Sequence, residues 1–184
     1  LLDRMDVLEH AALGAIVLLD GPGGPDSVWA QRPEGTRAQL VEKRLRLYVV
    51  DAQKVTRQVG LGGRINTVMQ TCFFALTKLL PLEEATAAIK RRIAKTYGKR
   101  GEVIVEKNYA AVDAALAELL EVPLGPLGSG TRTRRLVVLP EAPAFVQEVT
   151  APLLAGKGDA LPVSAIPVDG TWPDCSTAGA VKKF

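Results

Sequence analysis

Histidine is nearly missing from this chain: His10 stands alone among 184 residues, so a Ser-His-Asp or Cys-His relay would depend on one residue near the chain start, and no catalytic residue is expected. Cysteine is almost as scarce. Cys72 and Cys175 lie far apart with no CxxC spacing, which removes the simplest zinc and iron–sulfur sites, so no metal ligands are expected and a reduced, cytoplasmic setting is. Aromatic residues make up 5%, too few for the stacking platform of a single-strand binder, and no nucleic-acid partner is expected. No apolar run approaches the roughly 18 residues that span a bilayer, and no basic segment leads into an apolar stretch at the N-terminus. Neither a membrane partner nor export is expected.

What is present describes a folded, water-soluble protein: 47% hydrophobic residues against 23% charged, enough chain for one domain and a tail, and a net charge of only +3. The basic residues are dispersed in small clusters, Lys43-Arg44, Lys90-Arg91-Arg92, Lys99-Arg100 and Arg132 to Arg135.

The chain starts on Leu1, and LLDRMDVLEHAALG reads as a helix already in progress, with Leu1, Met5 and Leu8 near helical spacing. Gly14 stops it, and the run from Gly14 to Asp20 has the length and composition of a buried strand. GPGGP at residues 21–25 is a turn, followed by an irregular stretch with Trp29 and Pro33. Thr36-Arg-Ala-Gln39 has the form of a capping box opening a short helix to Lys43 or Arg44. Leu45 to Asp51 is a second strand. Helix, strand, helix, strand predicts a three-layer α/β/α domain with a mainly parallel, largely covered sheet.

A glycine-rich loop, Val59-Gly-Leu-Gly-Gly-Arg-Ile-Asn66, then opens the best helix in the chain. From Ile65, the apolar residues Val68, Met69, Cys72, Phe73, Leu76, Leu79 and Leu80 form one stripe, ended by Pro81. Pro81 starts another helix, with Glu83 and Glu84 at its positive end, Ile89, Ile93 and Tyr97 inward and Gly98 as its C′ residue. A third helix is predicted from about Glu102 to Glu121, with Val105, Tyr109, Val112, Leu116 and Leu119 or Leu120 on one face. At Val122 the composition turns Pro/Gly/Ser-rich and basic, a linker or exposed loop. A short helix follows around Phe145 to Leu154, and the prolines of LPVSAIPVDGTWPDC favour an extended tail that needs something to lie on.

Small residues in the glycine-rich loop permit close backbone approach, and the helix after it offers unpaired amides to an anion, with Arg57 and Arg64 adding charge. The loop is neither a Walker loop nor a GxGxxG with an acidic partner, so by itself a tight turn is the commoner reading. Asn66, Thr67 and Gln70 lie near the helix start, placed to bond a ligand or a neighbouring domain, or else to cap the helix and face solvent. Asp51 ends a strand, where ligands gather in open α/β sheets and where turn-forming Asp is also common. Cys72 reads as core, and the Arg132 to Arg135 cluster as a solvated loop, with an acidic partner surface the minority reading.

The segment YVVDAQKVTRQVGLGGRINTVMQTCFFALTKLLP resembles a stretch of the pyruvate:ferredoxin (flavodoxin) oxidoreductase family, part of the wider 2-oxoacid:ferredoxin oxidoreductases, in which an Asp-Ala strand end leads through a Gly-rich loop into an Asn-Thr-Val-Met-Gln helix. The resemblance continues through LEEATAAIKRRIAKTYGKRGEVIVEKNYAAVDAAL and again at FVQEVTAPLLAGKGDALPVSAIPVDGTWP, in the order of the family's γ-type domain and the passage toward its ferredoxin-like domain. It implies an enzyme that oxidatively decarboxylates pyruvate with thiamine diphosphate and Mg, passes electrons through 4Fe-4S clusters to ferredoxin or flavodoxin, and hands the acyl group to coenzyme A. No Cys-rich cluster motif and no GDG segment occur here, so no cofactor is expected in this chain and it is expected to be inactive alone. The family's RGGQG-like loop, its best candidate for touching coenzyme A, would lie upstream of Leu1.

Residues 1–121 are therefore expected to be the C-terminal part of a γ-type domain truncated at its N-terminus, 122–160 a basic loop and short helix completing it, and 161–184 an extended linker tail. Arg64, Asn66, Thr67 and Gln70 are the candidates for a position near coenzyme A or a domain interface. The partners implied are the other domains of the same enzyme, ferredoxin or flavodoxin for the whole, and further copies of the chain, because a parallel sheet short of its leading strands exposes edge and apolar face. The other reading is a standalone interaction module that docks a partner through its basic loop and Pro-rich tail.

Overall fold

The computed structural model describes residue 2, residues 6–127, residue 133, residues 136–173 and residue 176. The chain forms two compact units: one comprises Ala12–Gln31 and Arg37–Gly128, the other Leu1–Ala11, Arg32–Thr36 and Ser129–Phe184.

In the first unit, β1 (Ile16–Asp20) and β2 (Arg46–Val50) pair in parallel, Ile16 opposite Arg46 and Asp20 opposite Val50. Parallel neighbours need a crossover, and it carries α1 (Pro25–Ala30) and α2 (Glu34–Glu42). β2 forms as expected because its apolar residues are buried on both faces: Leu47, Val49 and Val50 are all at most 2% exposed although alternate residues of a strand point to opposite sides, while the apolar residues of β1 are half-buried. The sheet is mixed. β3 (Leu119–Val122) adds to β2 antiparallel, Val122 opposite Leu47, in the order β1-β2-β3. This corrects the expectation of a helix continuing to Glu121: α6 (Glu102–Ala115) stops, and the chain instead buries Val122 in the sheet.

Other boundaries move for local reasons. The stretch expected to be irregular is α1, with Pro25 in its first turn beside Asp26, an arrangement that suits a helix start. Thr36 does not cap α2. It lies inside a helix that begins at Glu34, after Pro33, is fully buried, and its Oγ1 donates to the Leu2 carbonyl at 3.4 Å. Between β2 and the glycine-rich loop the chain makes a further, unexpected helix, α3 (Ala52–Gln58), capped by Asp51, whose Oδ1 accepts from Lys54 N at 2.7 Å.

α4 (Asn66–Thr77) ends four residues before Pro81, because Lys78 adopts φ 52° and breaks the helix; Leu79 and Leu80 are off the expected stripe and exposed. α5 (Leu82–Tyr97) buries Ile89 and Ile93 as expected. Gly98 is not a left-handed cap; its φ is −53°, and Gly101 at φ 111° makes the reversal into α6. Val50, Val55, Val68, Cys72, Ala111 and Ala115 form the main core, joining β2 to α3, α4 and α6, while Ile89, Ile93 and Val112 form a second cluster between α5 and α6.

In the second unit, the described part of the expected N-terminal helix holds a 3-10 turn, Val7–His10, which buries Leu8; Ala11 is already extended. The short helix near residue 150 is present with a π-helical turn, Val146–Thr150, running into α7 (Ala151–Leu154). Pro152 supplies a reason: it has no N–H and its ring crowds the carbonyl one turn back, which a widened turn relieves. The tail alternates extended residues (Leu161, Pro162 and Ile166) with 3-10 turns at Gly158–Ala160 and Val163–Ala165. Phe145 gives it a support, its ring meeting Trp172 edge-on at 5.4 Å. Cys175 and the arginines of the Arg132 to Arg135 cluster lie outside the described residues.

Candidate functional site

The carboxyl ends of β1 and β2 carry two acids, and both are occupied by the backbone. Asp20 Oδ1 accepts from Ala52 N at 3.1 Å while Asp51 caps α3, so Asp51 takes the turn-forming role and the pair braces the start of α3. The glycine-rich loop is also a built turn. Gly60 and Gly62 hold φ of 70° and 63°, the left-handed region that favours glycine, and Lys107 Nζ reaches the Gly60 carbonyl at 3.4 Å from α6.

The loop delivers the first turn of α4 to a small concavity against α5. Asn66, Thr67 and Gln70 line it from α4, Arg92, Thr96 and Tyr97 from α5, with Ile89 and Ile93 also in its wall, around a volume of about 160 Å³. Thr67 is the fixed member. Its Oγ1 donates to Asn108 Oδ1 at 3.2 Å, and Asn108, 5% exposed, uses its amide to reach the Ile104 carbonyl at 2.8 Å. Asn66, Gln70 and Arg92 are exposed.

Three of the four expected residues thus come together; Arg64 is exposed and is not part of the pocket wall. Arg92, Thr96 and Tyr97 complete the wall without having been singled out, although Arg92 belongs to a basic run and Arg92 and Thr96, four residues apart, share a helix face. The wall offers amides, hydroxyls and one guanidinium, a set that holds a polar or anionic group and contains no nucleophile paired with a base.

Cys72, the nearest thiol in sequence, is fully buried and points at the Ala115 carbonyl, 3.7 Å from its Sγ. Burial pushes its pKa up to about 11, so it is core and not a nucleophile. Among the described residues no three His, Cys, Asp or Glu side chains gather as metal ligands, and no helix is long and apolar enough to cross a membrane.

A family model described as pyruvate ferredoxin/flavodoxin oxidoreductase matches residues 2–118, and one described as a domain of unknown function, EKR, matches residues 131–178. The chain is 48% identical to the pyruvate-flavodoxin oxidoreductase of Rhodospirillum rubrum, over 94% of its own length and 14% of that protein's. It is 46% identical to the probable pyruvate-flavodoxin oxidoreductase of Escherichia coli, over 94% of this chain and 15% of the relative. It is 38% identical to the pyruvate:ferredoxin oxidoreductase of Moorella thermoacetica, over 92% and 14%. The chain therefore spans about one seventh of the length of these relatives.

Proposed function

Because the chain belongs to the pyruvate ferredoxin/flavodoxin oxidoreductase family, we propose that it is one domain of an enzyme that oxidatively decarboxylates pyruvate or a related 2-oxoacid to the acyl-CoA, with ferredoxin or flavodoxin as electron acceptor. The observation that carries this is the family match through both the α4 and α6 regions, with the relatives aligned over nearly the whole chain.

The described residues do not fit the redox groups of such an enzyme. Cys72 is a lone buried thiol, and no acidic or sulfur cluster is placed to hold iron or a diphosphate-bound metal. Thiamine diphosphate, Mg and 4Fe-4S clusters would therefore be held by other domains of the same polypeptide, which are this chain's first partners. Residues 1–121 serve as the C-terminal part of the γ-type domain, 122–160 complete it and 161–184 link onward, in a cytoplasmic homo-oligomer.

The α4–α5 pocket is where this domain would meet coenzyme A or an adjoining domain. Thr67, held by Asn108, sets the position of the first turn, and Gln70 and Arg92 supply an amide and a charge for a polar or phosphate group. Arg64 lies close in sequence as an outer cation.

The test is the full-length enzyme assayed by pyruvate-dependent dye reduction. Gln70→Ala and Arg92→Ala are expected to raise the KM for coenzyme A several-fold while leaving that for pyruvate unchanged. Unchanged coenzyme A kinetics, together with no heat on titrating coenzyme A into the chain, would make these residues structural. A full-length protein that reduces no dye with any 2-oxoacid would sink the wider reading.

A further inference from the structure

Arg37 is a buried cation that the pocket and the sheet do not use. It sits in the first turn of α2, is 8% exposed, and its Nε is enclosed with no hydrogen-bond partner among the described residues. A guanidinium cannot shed its charge by deprotonating at any ordinary pH. Burying its Nε–H without an acceptor is therefore unfavourable unless something else compensates.

Trp29 compensates in part. The guanidinium carbon lies 5.9 Å from the centre of the indole ring, within the range of a cation–π contact. A ring face attracts the charge but supplies no acceptor for Nε–H. The indole is itself held in place by the loop after β3: a Cβ added at Gly125 would stand 2.7 Å from Trp29 Nε1, so the loop backbone rests against the ring. The result is a cation on a braced aromatic platform with a donor still unused.

We propose that Arg37 is an oxyanion receptor, taking two oxygens of a carboxylate or phosphate on its Nε edge while Trp29 supports the guanidinium. That edge presents two parallel N–H donors at the spacing of a carboxylate or phosphate, which is why arginine binds these groups two-pronged and lysine does not. The oxyanion is either an Asp or Glu side chain from another part of the longer polypeptide or a free ligand; the chemistry is the same and the experiment separates the sources.

The chain contains two tryptophans, so Trp172→Phe leaves Trp29 as the sole indole reporter, excited selectively over tyrosine. This variant is titrated with sodium phosphate and, separately, sodium acetate, at ionic strength held constant with sodium chloride. A saturable change in Trp29 emission with at least one of the two is expected, absent with chloride alone and shifted at least about tenfold to weaker binding by Arg37→Lys, which keeps the charge and loses the fork. Hydrogen exchange of residues 25–42 is then compared between the chain and the full-length enzyme. Greater protection in the full-length enzyme that phosphate does not change and Arg37→Lys removes assigns the oxyanion to a side chain. Protection that phosphate raises in both proteins assigns it to a free ligand. No saturable emission change with either anion, together with exchange of residues 25–42 insensitive to Arg37→Lys in the full-length enzyme, overturns the proposal.

Discussion

The hydroxyl of Thr67 and the side-chain carbonyl of Asn108 meet at 3.2 Å, tying the first turn of α4 to the middle of α6 across 41 residues of chain. Asn108 is buried and gives its amide to Ile104 O, so both ends of its side chain are committed. Asn108→Leu would leave the Thr67 hydroxyl without its acceptor. A loss of about 1–3 kcal/mol is expected from an orphaned, partly buried polar group, read by urea unfolding of the chain. Thr67→Val, which removes the other partner, should add little further loss in the double variant; full additivity would mean that the two do not interact.

Gly125→Ala places a methyl group 2.7 Å from Trp29 Nε1, so either the loop or the indole must shift. About 1–3 kcal/mol of destabilisation is expected, with a change in the near-ultraviolet dichroism of tryptophan. Gly24→Ala is the control, since a Cβ there meets nothing within 4 Å.

Gly60→Ala meets two obstacles. The residue holds φ 70°, and the new Cβ would lie 3.1 Å from Lys107 Nζ. The backbone alone accounts for about 1–2 kcal/mol, whereas the flexible lysine head can move. Lys107→Ala should therefore rescue Gly60→Ala only slightly, as judged by thermal midpoints of the single and double variants.

Cys72 should resist alkylation by iodoacetamide at pH 8 in the folded chain and react at ordinary thiol rates in denaturant, because its folded pKa is about 11. The sign of the linkage follows. The folded state holds the proton over a range where the unfolded thiol has lost it, so this group's contribution is fully present below pH 9 and is lost as pH rises through 11. Cys72→Ala should flatten that part of the stability profile.

Among the described residues β1 forms one edge of a three-stranded sheet, and its residues Ile16 to Leu19 are apolar. An unguarded apolar edge strand favours pairing with another strand. Light scattering of the purified chain is expected to show association that increases with concentration. A monodisperse monomer with a sharp cooperative thermal transition would argue that the edge is adequately covered.

Much of the fold was legible where one period dominated. The apolar runs of β1 and β2 and the spacing of Ile89, Ile93 and Tyr97 report burial directly, and the structure buries β2, Ile89 and Ile93. The errors fall where a local motif had two physical uses. Thr36 has the spacing of a capping box, yet it spends its hydroxyl on the Leu2 carbonyl from inside a helix. Leu119 to Val122 continues the rhythm of α6, yet these residues pair with β2, because a strand slot beside Leu47 and Val49 exists only once the sheet has formed.

The candidate site divides the same way. Asn66, Thr67 and Gln70 were readable because they follow a glycine-rich loop into a helix, and a helix start presents free amides whatever lies around it. Arg92, Thr96 and Tyr97 became part of that site only when α5 packed beside α4, and Arg37 became a buried cation only when α1 and α2 folded Trp29 against it. The residues by themselves determined the alternation of strand and helix, the scarcity of catalytic and metal-binding groups, and the family resemblance, since these depend on composition, order and local spacing. Tertiary structure alone decided which helix faces oppose each other and which charge loses its water, because burial is set by neighbours distant in sequence.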